Sequence, residues 1–324
     1  MIRIGIAGYG NIGRGVEKAV AANPDMTLTL LLTRRDPASL HPATPGVEVR
    51  SMDEAAACKD KVDVLILCGG SATDLPVQGP AMASLFHTVD SFDNHSIIPQ
   101  YLASMDGAAK KGGKLSLISV GWDPGLFSTL RVLSGAALPN GADYTFWGTG
   151  VSQGHSDAIR RVPGVAAGIQ YTVPIDSAME AVRSGGQPAF TAREKHKRVC
   201  YVVAEEDADQ EAIRHAIVTM PAYFADYDTE VHFITRDELS KNHAKMPHGG
   251  FVFRSGSTGE NKHLIEFSLK LESNPEFTGS VLAAGARAVY RMAQSGRTGA
   301  MTFIDVPPVL LHPLDREQVI ASLV

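Results

Sequence analysis

The chain has 324 residues, 44% of them hydrophobic, enough to bury a real core and better suited to two domains than to one. A formal net charge of −5, with both signs interspersed, excludes a basic stripe able to neutralise a phosphate backbone, so nucleic acid is not an expected partner. Three distant cysteines, Cys58, Cys68 and Cys200, form neither a disulfide framework nor a metal-ligand spacing and suit a reducing compartment.

The first residues, Ile2 to Ile6, read as a strand with no charged-then-apolar leader before it. The longest apolar run, Val62 to Cys68, is broken by Asp63 and is far too short to span a bilayer. A soluble cytoplasmic protein is expected. Strand patterns near residues 2–7, 27–33, 63–68, 87–91 and 115–120 alternate with helical segments, the rhythm of a parallel sheet with crossover helices. Between the first two strands, Ile12, Val16, Ala19 and Val20 share one face of a helix predicted from Asn11 to Ala22, which Asn23-Pro24 ends.

After Gly121 the rhythm changes, with strand patterns at Tyr144–Trp147, Gln170–Val173, Val199–Val203, Val231–Ile234 and His263–Leu271. In the last, Ile265, Phe267, Leu269 and Leu271 alternate with Glu266, Ser268 and Lys270, which predicts an antiparallel strand with one covered face. Asn274-Pro275 then starts a long helix to about Gln294, and Met301 to Val306 reads as a strand.

Gly8-Tyr9-Gly10-Asn11-Ile12-Gly13 lies between the first strand and the first helix, the context that a dinucleotide fingerprint requires. Gly8 allows the turn, Gly10 the approach of a pyrophosphate, Gly13 close packing of helix on sheet, and the helix N-terminus supplies amide donors. The second strand ends in Thr33-Arg34-Arg35 and not in an acidic residue, so the expected cofactor is NADP, its 2′-phosphate held by the arginines. Two such charge-assisted contacts, each about 1.5–3 kcal/mol, favour NADP over NAD by several orders of magnitude; a solvated basic turn is the alternative. Cys68-Gly69-Gly70-Ser71-Ala72-Thr73 follows another parallel strand and either flanks the nicotinamide half or is a plain strand-to-helix turn.

Two carboxylates, Asp93 and Asp123, follow consecutive strands whose ends face the cofactor crevice. Oxidising a C–N bond needs an ammonium held beside the nicotinamide and relieved of a proton, and carboxylates do both. Asp123 precedes Pro124 and is alternatively a helix N-cap.

The chain at this point resembles the meso-diaminopimelate D-dehydrogenases. The resemblance is carried by Gly8-Tyr9-Gly10-Asn11, Ser71-Ala72-Thr73-Asp74, Val89-Asp90 through Asn94-His95, Gly121-Trp122-Asp123-Pro124-Gly125 and Phe146-Trp147-Gly148. It continues through Ser152-Gln153-Gly154-His155-Ser156-Asp157, Gln170-Tyr171-Thr172, His196-Lys197-Arg198, Met246-Pro247-His248-Gly249-Gly250 and Asn274-Pro275. It implies an α/β fold: a Rossmann-like NADP domain over 1–121 with a C-terminal return at about 297–324, and an α+β substrate-binding and dimerisation domain over 122–296 with a mixed or antiparallel sheet.

The resemblance also implies a homodimer that oxidatively deaminates the D-centre of meso-2,6-diaminopimelate, giving L-2-amino-6-oxoheptanedioate and ammonia for lysine and diaminopimelate synthesis. Asp93 and Asp123 would address the reacting amino group; Trp122, Trp147, Gln153 and Asp157 would shape the cavity; Thr172, Arg198 and His248 would hold the distal L-centre carboxylate. A guanidinium suits that last task because it grips a carboxylate through two parallel hydrogen bonds. Where the family places an Asn before a His, this chain reads Asn261-Lys262-His263, so a further polar contact is assigned to Asn261, with Lys262 as the alternative.

The histidines His155, His196, His243, His248 and His263 have no metal-site spacing, and no metal is expected. His155 and His196 read as structural or supporting hydrogen-bonding residues, and Arg160-Arg161 as solvated charge. No Ser stands in a GxSxG elbow, so hydrolase chemistry has no support. The rival readings are another NADP-dependent oxidoreductase, acting on a D-amino acid, a dihydrodipicolinate-type imine or a sugar, and a non-catalytic NADP sensor.

Overall fold

The first strands are buried along nearly their whole length, because a parallel sheet is covered on both faces. In the computed structural model, which describes residues 1–324, they are β1 (Ile2–Ala7), β2 (Met26–Thr33), β4 (Val64–Leu67), β5 (Thr88–Asp90) and β6 (Leu115–Ile118). A short β3 (Glu48–Ser51) and the late β14 (Gly299–Thr302) complete a seven-stranded sheet in the order β14-β6-β5-β4-β1-β2-β3, parallel throughout. This is a Rossmann-like sheet, and its strand order reverses between β4 and β1, so a crevice opens beyond the carboxyl ends of those two strands.

One face packs on the helix Asn11–Ala21, whose Val16, Ala19 and Val20 are buried with Ile4 and Ile6, and on the long helix Asn274–Gln294 through Val281, Leu282, Ala286 and Val289. The other face packs on the helices Leu75–Ala83 and Ile98–Gly112 through Leu75, Met82, Tyr101 and Met105. Arg287, only 1% exposed, is fully employed within this core. It pairs with Asp25 at 2.6 Å and donates to Asn23 and to the Leu311 carbonyl.

The chain separates into two compact units, Met1–Thr129 with Pro275–Val324, and Leu130–Asn274. These limits differ from the expected 121 and about 297, because the apolar face of the long helix is part of the first unit's core. The expected strand at 301–306 is β14 followed by a 3-10 turn, Phe303–Asp305.

The second unit holds two sheets. β8 (Gly150–Val151), β9 (Val165–Pro174), β10 (His196–Ala204) and β11 (Asp228–Phe233) form a mixed one, antiparallel except for β10 with β11. β7 (Gly141–Trp147), β12 (His248–Thr258) and β13 (Asn261–Leu271) form an antiparallel one. β12 was not anticipated. The alternation in β13 gives a strand as expected, yet its apolar face is only partly covered: Leu271 is buried, Ile265 and Leu269 are half-buried and Phe267 is 38% exposed. No helix is long and apolar enough to cross a membrane.

Candidate active site

In the first unit, the glycine loop is fixed by its neighbours. Gly8 has φ +96° and its amide donates to the Leu32 carbonyl at 2.9 Å. A Cβ at Gly13 would overlap the Gly8 carbonyl, so the helix starts as close to the strand as backbone allows. The helix from Asn11 has Gly10 at its N-cap with no side-chain cap, and a Cβ at Gly10 would meet only open space. Its first amides are thus presented as an anion site needs them. Ile12 is half-buried against the core. Tyr9, in contrast, turns inward among Leu31 and Leu40 and bonds Glu17, so only its backbone belongs to the loop. Burial and that carboxylate push the Tyr9 phenol up to about 12.

Both arginines after β2 lie at this edge. Arg35 donates to the Tyr9 carbonyl at 2.6 Å while its amide bonds the Thr33 hydroxyl. Arg34 pairs with Asp74 at 2.9 Å, and Asp74 also accepts the Gly70 amide at 3.0 Å. That amide and the Arg34 guanidinium hold the Asp74 carboxyl below its ordinary range. The segment Cys68–Thr73 is therefore bound to the arginine turn through one carboxylate. Ala72 and Thr73 are exposed, and the Ser71 hydroxyl accepts the Asp93 amide at 3.1 Å. Two buried hydroxyls beyond β5 and β6, of Ser91 and Ser119, have no hydrogen-bond partner. Orphaned hydroxyls, uncapped amides and two arginines along one sheet edge suit a dinucleotide phosphate with a 2′-phosphate.

Asp93 is exposed in the loop after β5, and Asp123 is half-buried after β6. The N-cap alternative for Asp123 is not met: Asp123, Pro124 and Gly125 are all non-helical, and the helix begins only at Phe127. Trp122 is 7% exposed, edge-on to Phe127 at 5.4 Å.

In the second unit, three expected residues come together. Arg198 and Thr172 face each other across β10 and β9 and share a hydrogen bond; Gly150 pairs with Thr172 on the next strand. A Cβ at Gly150 would overlap the His248 ring, so His248 packs against that position. The Arg198 guanidinium lies 3.9 Å above the Tyr227 ring, 7% exposed, with its Nε buried and unpartnered. Gln170, fully buried, points its Nε2 at Thr172 at 3.4 Å and leaves its Oε1 unpartnered. Gln170 and Tyr227 were not among the expected site residues. The two-residue spacing from Thr172 places Gln170 on the same strand face and was the available signal; nothing marked Tyr227.

The other expected residues are more dispersed. Gln153 and Asp157 are four apart on the helix Gln153–Arg160, hence on one face, but Asp157 pairs with Arg160 and both residues are exposed. Gln153 bonds the Met246 sulfur at 2.9 Å and lines a recess of about 420 Å³ that contains neither Thr172, Arg198 nor His248. Asn261 is misplaced for the role assigned to it. It pairs with Thr258 at the hairpin tip while His248 pairs with Leu271 at the far end, about 30 Å away along the strands.

Trp147 donates its amide to His196 Nε2 at 2.8 Å and stacks on that ring at 5.4 Å. His155 bonds Ser152 and packs edge-on to Phe224. Burial pushes His196 down to about 3 and His155 to about 4, so both rings are neutral at pH 7. Below 6.5 the unfolded chain takes up protons that the folded chain refuses, so stability present above pH 6.5 is lost as pH falls toward 3. We expect urea unfolding to show a steep loss of stability from pH 7 to pH 5 and His196→Gln, which keeps an acceptor for Trp147 without titrating, to flatten it. Equal slopes for both proteins would mean that His196 does not titrate this way.

The sequence profile described as "Diaminopimelic acid dehydrogenase C-terminal domain" matches residues 121–273. The chain is 57% identical to the meso-diaminopimelate D-dehydrogenase of Ureibacillus thermosphaericus over 98% of its own length and 97% of that relative's. Its structure is similar to that of a six-substitution variant of the Clostridium tetani meso-dapdh with DAP, with TM-score 0.94, 55% identity and 100% of both chains covered. It is similar also to an engineered D-amino acid dehydrogenase bound to NADP+, with TM-score 0.88, 45% identity, 100% of this chain and 99% of that one covered.

Proposed function

We infer the reaction from one premise: this chain belongs to the meso-diaminopimelate D-dehydrogenase family. It is an NADP-dependent amino-acid dehydrogenase that oxidatively deaminates meso-2,6-diaminopimelate at its D-centre, giving L-2-amino-6-oxoheptanedioate and ammonia. The observation that carries the substrate assignment is the buried Arg198 guanidinium beside Thr172 and His248, its Nε without a partner. A buried cation so placed gains most from a carboxylate, which supplies paired acceptors in the guanidinium plane.

The residues divide by chemistry. The amides from Gly10 to Gly13 hold the pyrophosphate, Arg34 and Arg35 the 2′-phosphate, and the 68–73 segment flanks the nicotinamide half. NADP, when bound, accepts the hydride from the D-centre carbon. Asp93 and Asp123 hold the amino group and take its proton, so that the nitrogen lone pair can form the C=N bond as the hydride leaves. Water then adds to the imine carbon and ammonia departs. Arg198, Thr172 and His248 hold the distal carboxylate and so decide which end of the molecule reacts. Trp147, Gln153 and Asp157 shape the substrate's surroundings in the second unit, Asp157 after release from Arg160, and Trp122 does so in the first.

For the remaining polar contact we replace Asn261 by Asn274. The residue types changed in the Clostridium tetani variant are Gln, Thr, Arg, Pro, His and Asn. The first five recur here at the same intervals as Gln153, Thr172, Arg198, Pro247 and His248, and Asn274 lies one residue nearer His248 than the sixth. Asn274 also donates its amide to the Met246 carbonyl at 2.9 Å, which ties it to the His248 segment. The exposed Phe267 between half-buried Ile265 and Leu269 on β13 supports a homodimer, and the cysteine usage a cytoplasmic enzyme.

The assay is NADPH formation at about 340 nm with NADP and meso-diaminopimelate, run beside the LL isomer and D-alanine. Turnover of the meso compound alone is expected; turnover of a sugar or the LL isomer instead would overturn the assignment. Asp123→Asn should lower kcat by about 10²–10⁴-fold with NADP affinity unchanged. Arg198→Met should raise KM for meso-diaminopimelate by about 100-fold and relax selectivity toward D-amino acids with apolar side chains. Unchanged selectivity would remove Arg198 from the distal clamp.

A further inference from the structure

Asp90 is the last residue of β5 and is fully buried. Its Oδ1 accepts two backbone amides, Phe92 at 3.0 Å and Ser119 at 3.1 Å. Its Oδ2 accepts the Tyr101 hydroxyl at 2.8 Å, and its carbonyl accepts the Val120 amide at 2.8 Å. One residue therefore ties the loop after β5, which carries Asp93, to the loop after β6, which carries Asp123. Ser119 has φ +57°, a left-handed conformation that strains a serine and persists only where its surroundings hold it. The Asp90 oxygen on its amide is such a hold. Tyr101 reinforces the arrangement by stacking on Phe92 at 4.0 Å.

We propose that Asp90 is a positioning residue for the amine oxidation, its carboxyl fixing the Asp93 and Asp123 loops in the one relative placement that the chemistry requires. The proposal rests on the roles given above to Asp93 and Asp123. All three of its side-chain partners are neutral donors, and burial pushes the carboxyl up to about 6 against their pull. The task is therefore geometric: two amides accepted by one oxygen, with the second oxygen fixed by Tyr101. An asparagine performs it equally, because its Oδ1 accepts the two amides and its Nδ2 donates to a Tyr101 hydroxyl that turns to accept.

The test compares Asp90→Ala, Asp90→Asn and Tyr101→Phe with Asp123→Asn, reading kcat, KM for meso-diaminopimelate, NADP affinity by fluorescence and Tm. Asp90→Ala should lower kcat by about 100-fold, the cost of roughly 1 Å of misplacement, with KM and NADP affinity little changed, and Asp90→Asn should restore most of that loss. Asp90→Ala with a lowered Tm but a normal kcat for the folded enzyme would reduce Asp90 to a structural residue. If Asp90→Ala does not fold, Tyr101→Phe decides: a several-fold fall in kcat at near-normal Tm supports the proposal, an unaltered kcat overturns it. A loss of kcat in Asp123→Asn but not in Asp90→Ala or Tyr101→Phe defeats this inference alone. Full activity in Asp123→Asn defeats the reading beneath it as well.

Discussion

Seven strands running in one direction place every loop that carries first-unit chemistry at a single edge of one sheet. The ends of β1, β2, β4, β5 and β6 lead into the glycine loop, the arginine turn, the 68–73 segment, Asp93 and Asp123 in turn. Each is then fixed to its neighbour by a hydrogen bond: Cys68 to Ala7, Arg35 to Tyr9, Arg34 to Asp74, Asp93 to Ser71, Ser119 and Val120 to Asp90. Because strands of such a sheet are buried on both faces, none of these ends can shift without disturbing the core beneath it.

Buried charge separates what supports the fold from what awaits a ligand. Arg287 and Arg254 are buried and their guanidiniums are occupied, Arg287 by Asp25, Asn23 and the Leu311 carbonyl, Arg254 by Asp143 and the carbonyls of Leu138 and Pro139. Arg198 is as deeply buried but meets only a hydroxyl and an aromatic ring, and its Nε meets nothing. An unpaired buried cation costs several kcal/mol unless a partner arrives, and in the proposed assignment a substrate carboxylate is that partner. On the proposed assignment the same logic gives selectivity, since a D-amino acid lacking the distal carboxylate leaves the guanidinium unsatisfied.

The parallel half was legible in the sequence because its short apolar-rich strands alternate with helical segments and its glycines and arginines sit at the junctions. β3 was missed: Glu48-Val49-Arg50-Ser51 is a short edge strand with little apolar pattern. β12 was missed because it opens on Gly249-Gly250 and carries Arg254, Ser255 and Gly256, and the bonds that make a buried arginine acceptable there come from a turn far away in sequence. Asn261 failed for a related reason. It was assigned from the resemblance of Asn261-Lys262-His263 to the family's Asn-His pair, whereas strand pairing puts it at the hairpin tip, at the opposite end from His248. Gln170 joins the Arg198 cluster through a contact with Thr172 on its own strand, which the two-residue spacing signals, whereas Tyr227 joins it through a ring contact that single-sequence reasoning does not reach.

The central claim is that this enzyme removes hydride from the D-centre and holds the L-centre fixed. Its most direct test uses meso-diaminopimelate carrying deuterium only at the D-centre carbon, incubated with enzyme and NADP, with the reduced cofactor and the keto-acid product examined by mass spectrometry. The account predicts deuterium in NADPH, none in the product and an L-configured amino centre retained. Deuterium left in the product, or transferred only when the label is placed at the L-centre, would contradict it.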